Sequence, residues 1–140
     1  MTVAEGAFWS DLARDLEDPD FLREYVVKSV RIATIDDIVN ALEQAREEAG
    51  LSKADLARAI HAQPAVVRRL FASGHVNPTL GTLAEVAAAL GMRVTLEQLP
   101  AIERKVVTEP LLSGRVIDAH RLVAHHDAKR KPERASALAG

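Results

Sequence analysis

A chain of 140 residues and 15.2 kDa holds one ordinary domain with room for a small extension. Hydrophobic residues make up 48% and charged residues 27%, the balance of a soluble globular protein, while aromatics at 4% leave a core of Ala, Leu, Val and Ile that suits helices better than a sandwich or barrel. The net charge is only −2, and the absence of cysteine excludes disulfides, thiolate zinc sites, iron–sulfur clusters and cysteine nucleophiles. No apolar run approaches the roughly 18 residues that span a bilayer, and the first residues lack a basic-then-apolar leader. A cytoplasmic location is expected.

In chain order, Phe8, Trp9, Leu12 and Leu16 recur at helical spacing in a first short helix. Asp18-Pro19 then reads as an N-cap followed by proline at the first helical position, with Phe21, Leu22, Tyr25, Val26 and Val30 on one stripe behind it. Thr34 and Asp37 resemble a capping box that opens a third helix, which carries Ile35, Ile38, Val39, Leu42 and Ala45 and is closed by Gly50. Ser52 with Asp55 starts the fourth, whose buried face is Leu56, Ala59 and Ile60. His61-Ala62-Gln63 is too short for a real loop, so the next helix begins at Pro64, with Val67, Leu70 and Phe71 facing inward and Gly74 ending it. Thr79 caps a sixth helix with Leu83, Val86, Ala87 and Leu90 inside, stopped by Gly91.

The period then switches to two. Met92, Val94 and Leu96 alternate with Arg93, Thr95 and Glu97, which predicts one short strand ending before Pro100. A single strand needs a partner for its backbone groups, and the same strand of a second subunit supplies one, so a symmetric homodimer is expected. From Ala101 the pattern weakens. Residues 115–126, with Val116, Ile117, Leu122 and Val123, read as a helix, and residues 128–140 as a basic, Ala-rich, frayed end.

Charge is spread unevenly along this order. Residues 1–50 hold 12 acidic and 5 basic side chains, residues 51–93 hold 2 and 5, and residues 94–140 hold 6 and 8. The basic middle coincides with two short helices joined by about three residues and followed by a capped helix, which is helix-turn-helix geometry. In that motif the first helix braces across the phosphate backbone and the second presents its N-terminal residues to base edges in the major groove. Positive charge is needed there to neutralise phosphates.

The run from Leu42 to Arg58 (LEQAREEAGLSKADLAR) resembles the opening of Xre/Cro-type helix-turn-helix domains. The run from Asn77 to Gly91 (NPTLGTLAEVAAALG) resembles their fourth and fifth helical region, and adding Met92-Arg-Val-Thr-Leu-Glu makes the segment similar to HigA-like antitoxins of the addiction-module-antidote branch. The upstream stretch from Asp18 to Tyr25 resembles the N-terminal helix of that branch, so the likeness covers roughly residues 18–99. It implies a mainly α fold: a five-helix Xre-like core over 34–91, an N-terminal helical extension over 1–33, a dimerisation strand over 92–100 and a basic C-terminal extension over 101–140. It further implies a repressor of its own promoter, bound to a palindromic double-stranded operator, whose protein partner is a small toxin.

The family often has Gln at the start of both helices of the motif, and this sequence has Lys53 and Pro64 there. Base contacts therefore fall to Gln63, Ala65, Val66, Arg68 and Arg69: arginine pairs bidentately with guanine, and Ala65 or Val66 touches a thymine methyl. Ser52, Lys53, Arg58, Ser73, His75 and Thr79 are placed for phosphate. Met92, Val94 and Leu96 are the expected dimer contacts.

No catalytic site, cofactor or metal is expected. His120, His125 and His126 stand at i, i+5 and i+6, which do not share one helical face, and no carboxylate completes a ligand set. The carboxylates between Asp11 and Glu24 have no nucleophile or glycine-rich loop beside them and read as a solvated acidic face. Two other readings use the same motif: a free-standing Xre-type repressor without a toxin, and a nucleoid-associated protein that binds DNA without sequence preference.

Overall fold

The computed structural model describes residues 3–72 and 77–139, with side chains over 6–72 and 77–129. The described residues are mainly helical: α1 (Val3–Asp15), α2 (Pro19–Ala49), α3 (Lys53–Ala59), α4 (Pro64–Leu70), α5 (Leu80–Ala89), α6 (Ala101–Val106), α7 (Thr108–Ser113) and α8 (Ala119–Ala139). They divide into two compact units, one made of residues 1–33 with 98–140, the other of residues 34–97.

In the first unit Leu16, Leu22, Val26, Val106 and Leu122 form the core, with Leu12, Tyr25, Val30 and Val123 packed at its edge. Three of those buried positions carry the apolar spacing of α1 and α2. Leu122 belongs to the helix expected over 115–126, whereas Val106 comes from α6, where periodicity is faint because α6 and α7 are six residues each, under two turns. The expected helix over 115–126 begins later: Asp118 caps α8 by accepting a hydrogen bond from the Arg121 amide at 3.1 Å, which leaves Val116 and Ile117 in the preceding loop. The end expected to fray, residues 128–140, is instead part of α8 as far as Ala139. His120 stacks on Trp9 with ring centroids 3.8 Å apart, and His126 is buried with the Tyr25 ring edge-on at 5.8 Å. These histidines thus pack against aromatic rings.

Asp18 opens α2 as expected, accepting from the amides of Asp20 (2.9 Å) and Phe21 (3.4 Å) with Pro19 at the first helical position. The helix then runs 31 residues to Ala49, so the expected start at Thr34 is corrected. A capping residue must leave helical geometry, and Arg31-Ile32-Ala33 offers no glycine, proline or turn-forming side chain to make the chain leave. Thr34 and Asp37 are interior residues of one helix. It stops only at Gly50, whose φ of +68° an L side chain rarely adopts. There the amide of Gly50 bonds the Glu47 carbonyl at 3.1 Å and that of Leu51 bonds the Arg46 carbonyl at 3.2 Å, the paired bonds of a Schellman motif. Gly91 ends α5 with the same pair, to Ala88 and, through Met92, to Ala87.

The second unit is built around Leu42, Leu56, Ala57, Val67, Leu70, Leu83, Val86 and Ala87, with Ile38, Val39, Ile60, Phe71 and Leu90 against them. Each fully buried Leu or Val contributes about 1.5–3 kcal/mol relative to exposure. Leu56, Val67 and Val86, all at 0% exposure, pin α3, α4 and α5 to the same centre.

The strand expected over 92–100 is not formed. Residues 92–100 are neither helix nor strand and are exposed throughout, Leu96 completely. A strand is defined by pairing, and no described residue of the chain pairs with this segment. Among the described residues no helix is long and apolar enough to cross a membrane.

Candidate nucleic-acid interface

The second unit positions one exposed helix, and its construction begins at Ser52. The Ser52 hydroxyl accepts from the Asp55 amide at 3.0 Å while the Asp55 carboxylate accepts from the Ser52 amide at 2.9 Å, a complete capping box that starts α3. The Ser52 backbone donor holds the Asp55 carboxyl below its ordinary value of 3.8.

Helix α3 ends at Ile60 with the chain reversing through His61, at φ +53° the one non-glycine residue with positive φ among those described. The His61 amide bonds the Arg58 carbonyl at 3.3 Å and the Ala62 amide bonds the Ala57 carbonyl at 2.9 Å, so a histidine occupies the left-handed position that glycine usually fills. Gln63 then stands at the N-cap of α4 without a side-chain capping bond, and Pro64 takes the first helical position, where its missing N–H costs nothing.

Burial of Val67 and Leu70 fixes the rotation of α4 about its axis. At about 100° per residue, the face opposite that pair carries Ala65, with Arg68 and Arg69 on either side of it. All three are exposed, as are Gln63 and Val66, and α4 contains no acidic residue. Arg69 and Val66 also line a cleft of about 220 Å³ whose other wall is formed by Asn77, Pro78, Thr79 and Thr82. Residues expected at bases and one expected at phosphate therefore share a concave surface.

The remaining expected phosphate contacts are less alike. Thr79 caps α5: its hydroxyl accepts from the Thr82 amide at 3.1 Å and donates to the Thr82 hydroxyl at 2.9 Å. Arg58 is ion-paired with Asp55, yet its side chain is 72% exposed, so the pair opens at little cost. Lys53 is half-buried, and its charge acts on Glu43. Ser73 and His75 lie outside the described residues. Met92, Val94 and Leu96 are all exposed on the segment that follows α5.

Sequence reasoning missed Arg46. Its Nε and Nη2 donate to the two carboxylate oxygens of Glu43 at 3.0 and 2.6 Å, its Nη1 donates to the Leu51 carbonyl at 2.7 Å, and its guanidinium carbon lies 5.9 Å from the Phe71 ring centroid. One side chain thus ties α2 to the turn before α3 and to the C-cap of α4. The bidentate bond holds the Glu43 carboxyl below its ordinary value of 4.5 and raises Arg46 further. The signal was Glu and Arg at i, i+3 in a helix, a spacing that on its own marks only a surface pair.

A family model described as helix-turn-helix matches residues 42–97, the stretch that holds this arrangement. The match gives this segment a helix-turn-helix domain of the Xre-like kind and supports a DNA-binding transcriptional regulator. Comparison with curated proteins and with solved structures gave no match.

Proposed function

We propose that the chain is a sequence-specific repressor that reads DNA with α4. The observation that carries the reading is the face of α4 itself: Ala65 flanked by Arg68 and Arg69, with Gln63 and Val66 at the leading end, no acid on the helix, and a buried Val67–Leu70 pair turning that face outward. Laid in a major groove, this face offers two bidentate donors for guanine and two small apolar groups for thymine methyls. Lys53, Arg58 and the Thr79 region flank it and take phosphates, Arg58 by exchanging Asp55 for a phosphate oxygen. Residues 92–97 join two copies, so that two α4 helices meet successive major grooves of a palindromic operator about one turn apart.

The operator lies in the protein's own promoter and the chain is the antitoxin of a toxin–antitoxin pair. This part is supported by the resemblance of residues 18–99 to HigA-like antitoxins, and by the acidic first third, whose field would steer a basic toxin. A gel-shift titration of the promoter duplex, with and without random competitor DNA, tests the DNA reading. Retention of the promoter complex in a large excess of competitor is the expected result; equal competition by any sequence contradicts it.

A further inference from the structure

The segment after α5 is hydrogen-bonded at both ends and exposed between them. The Met92 amide bonds the Ala87 carbonyl at 2.8 Å, and the Leu99 carbonyl accepts from Arg104 Nε at 3.0 Å. Between these anchors the backbone groups of residues 93–97 bond to no described residue, and every side chain is exposed, Leu96 at 100% and Val94 at 38%. Apolar and charged residues alternate there, with Thr95 at the centre.

We infer that residues 93–97 of two copies pair antiparallel about Thr95. The inference rests on the homodimer proposed above and goes further by fixing its register. In an antiparallel ladder centred on Thr95, residue 94 stands opposite residue 96 of the second copy, and residue 93 opposite residue 97. Directly opposed side chains share a face. One face therefore matches Val94 with Leu96 twice, and the other matches Arg93 with Glu97 twice, with the two Thr95 hydroxyls between. No neighbouring register does both. Centring on Val94 sets Arg93 against Thr95, and centring on Leu96 sets Thr95 against Glu97. A shift by one residue places Val94 on the face of Thr95, mixing the apolar and polar sets.

The occupant is thus a second copy of this chain, selected by self-complementary charge. Met92, on the apolar side of the alternation, already lines a groove of about 570 Å³ with Ala41, Ala45, Ala49 and Leu90, together with the polar Gln44 and Glu48.

The chain has no cysteine, which makes single-cysteine variants clean probes. Opposed residues in an antiparallel pair have Cα atoms about 4.5–5.5 Å apart, inside the range a disulfide spans, whereas a residue one place off the axis, Val94 or Leu96, is about 8 Å from its own copy. Full-length Thr95→Cys is expected to oxidise to a covalent dimer. Val94→Cys and Leu96→Cys are expected to stay monomeric thiols alone and to cross-link when mixed. Arg93→Glu and Glu97→Arg should each raise the dimer dissociation constant about tenfold in sedimentation equilibrium, since opposed like charges are destabilising, and the double variant Arg93→Glu/Glu97→Arg should restore it. A chain that is monomeric at micromolar concentration overturns both the dimer and the register. A dimer in which Val94→Cys cross-links as readily as Thr95→Cys, or in which the charge swap restores nothing, overturns the register and leaves the dimer standing. Neither readout contains DNA, so failure here is separate from failure of the operator reading.

Discussion

Replacing Arg46 with methionine keeps its aliphatic stem and removes its fork. Three contacts go with the guanidinium: the bidentate bond to Glu43, the bond to the Leu51 carbonyl and the approach to Phe71. Arg46 and Glu43 side chains are 16% and 31% exposed, so their pair sits at the upper end of the surface range, near 1 kcal/mol. A charge-assisted bond to a carbonyl adds about 1.5 kcal/mol, and a cation–π contact at this distance about 0.5. Arg46→Met should therefore destabilise the second unit by about 2–3 kcal/mol, and Arg46→Lys by roughly half as much, because an ammonium keeps the charge and loses the fork. Trp9 and Tyr25 both belong to the first unit, which makes intrinsic fluorescence silent on this change. Amide hydrogen exchange in α3 and α4 is the suitable readout: a loss of that size speeds exchange about 30- to 150-fold where it reports unfolding of the unit. Exchange in Arg46→Met within twofold of wild type would show that Arg46 is only a surface cation.

Acid should act through the same contact. The Glu43 carboxyl is held low in the folded chain, so its contribution is complete above 4.5 and is lost as pH falls through the lower folded value. Protection of α3 and α4 should therefore decline below about pH 4.5, and Glu43→Gln should be weaker at neutral pH yet less sensitive across that acid window. His61→Gly should raise the thermal midpoint: relief of the left-handed strain, about 1 kcal/mol, exceeds the added backbone entropy of glycine, about 0.5. A lowered midpoint would mean that the His61 side chain carries a stabilising contact. On DNA, Lys53→Ala should weaken all sequences alike and flatten the salt slope by about one unit, whereas Arg68→Ala should relax discrimination at particular base pairs by about 1–3 kcal/mol; equilibrium binding at several salt concentrations separates the two.

The parts of this fold legible in the sequence are those where a local rule and the core agree. Ser52 and Asp55, Asp18 and Pro19, Thr79, Gly50 and Gly91 all mark helix ends where the chain does turn, because their side chains or their φ satisfy backbone groups within a few residues. The helix-turn-helix was legible for the same reason. Thr34 shows the limit: its spacing to Asp37 fits a cap, but caps form only where the chain leaves the helix, and nothing at 31–33 makes it leave. Residues 101–118 were opaque because helices of six residues show no period, and their buried anchor, Val106, is defined by partners far away in the chain. Arg46 was opaque for a related reason. Its bond to Leu51 and its place over Phe71 exist only once α2, α3 and α4 are assembled. The segment 92–100 was misread within the chain because alternation states which residues can share a face, not whether a second strand is present.

The claim that α4 reads DNA is tested most directly by selection from a random duplex library with the full-length protein, followed by sequencing, run in parallel for wild type and for Arg68→Ala and Arg69→Ala. Wild type should enrich one palindromic motif with half-sites about one helical turn apart, and each arginine variant should lose preference at a distinct base pair within each half-site while keeping the rest. Recovery of no motif by wild type, or of the same motif unchanged by both variants, would contradict it.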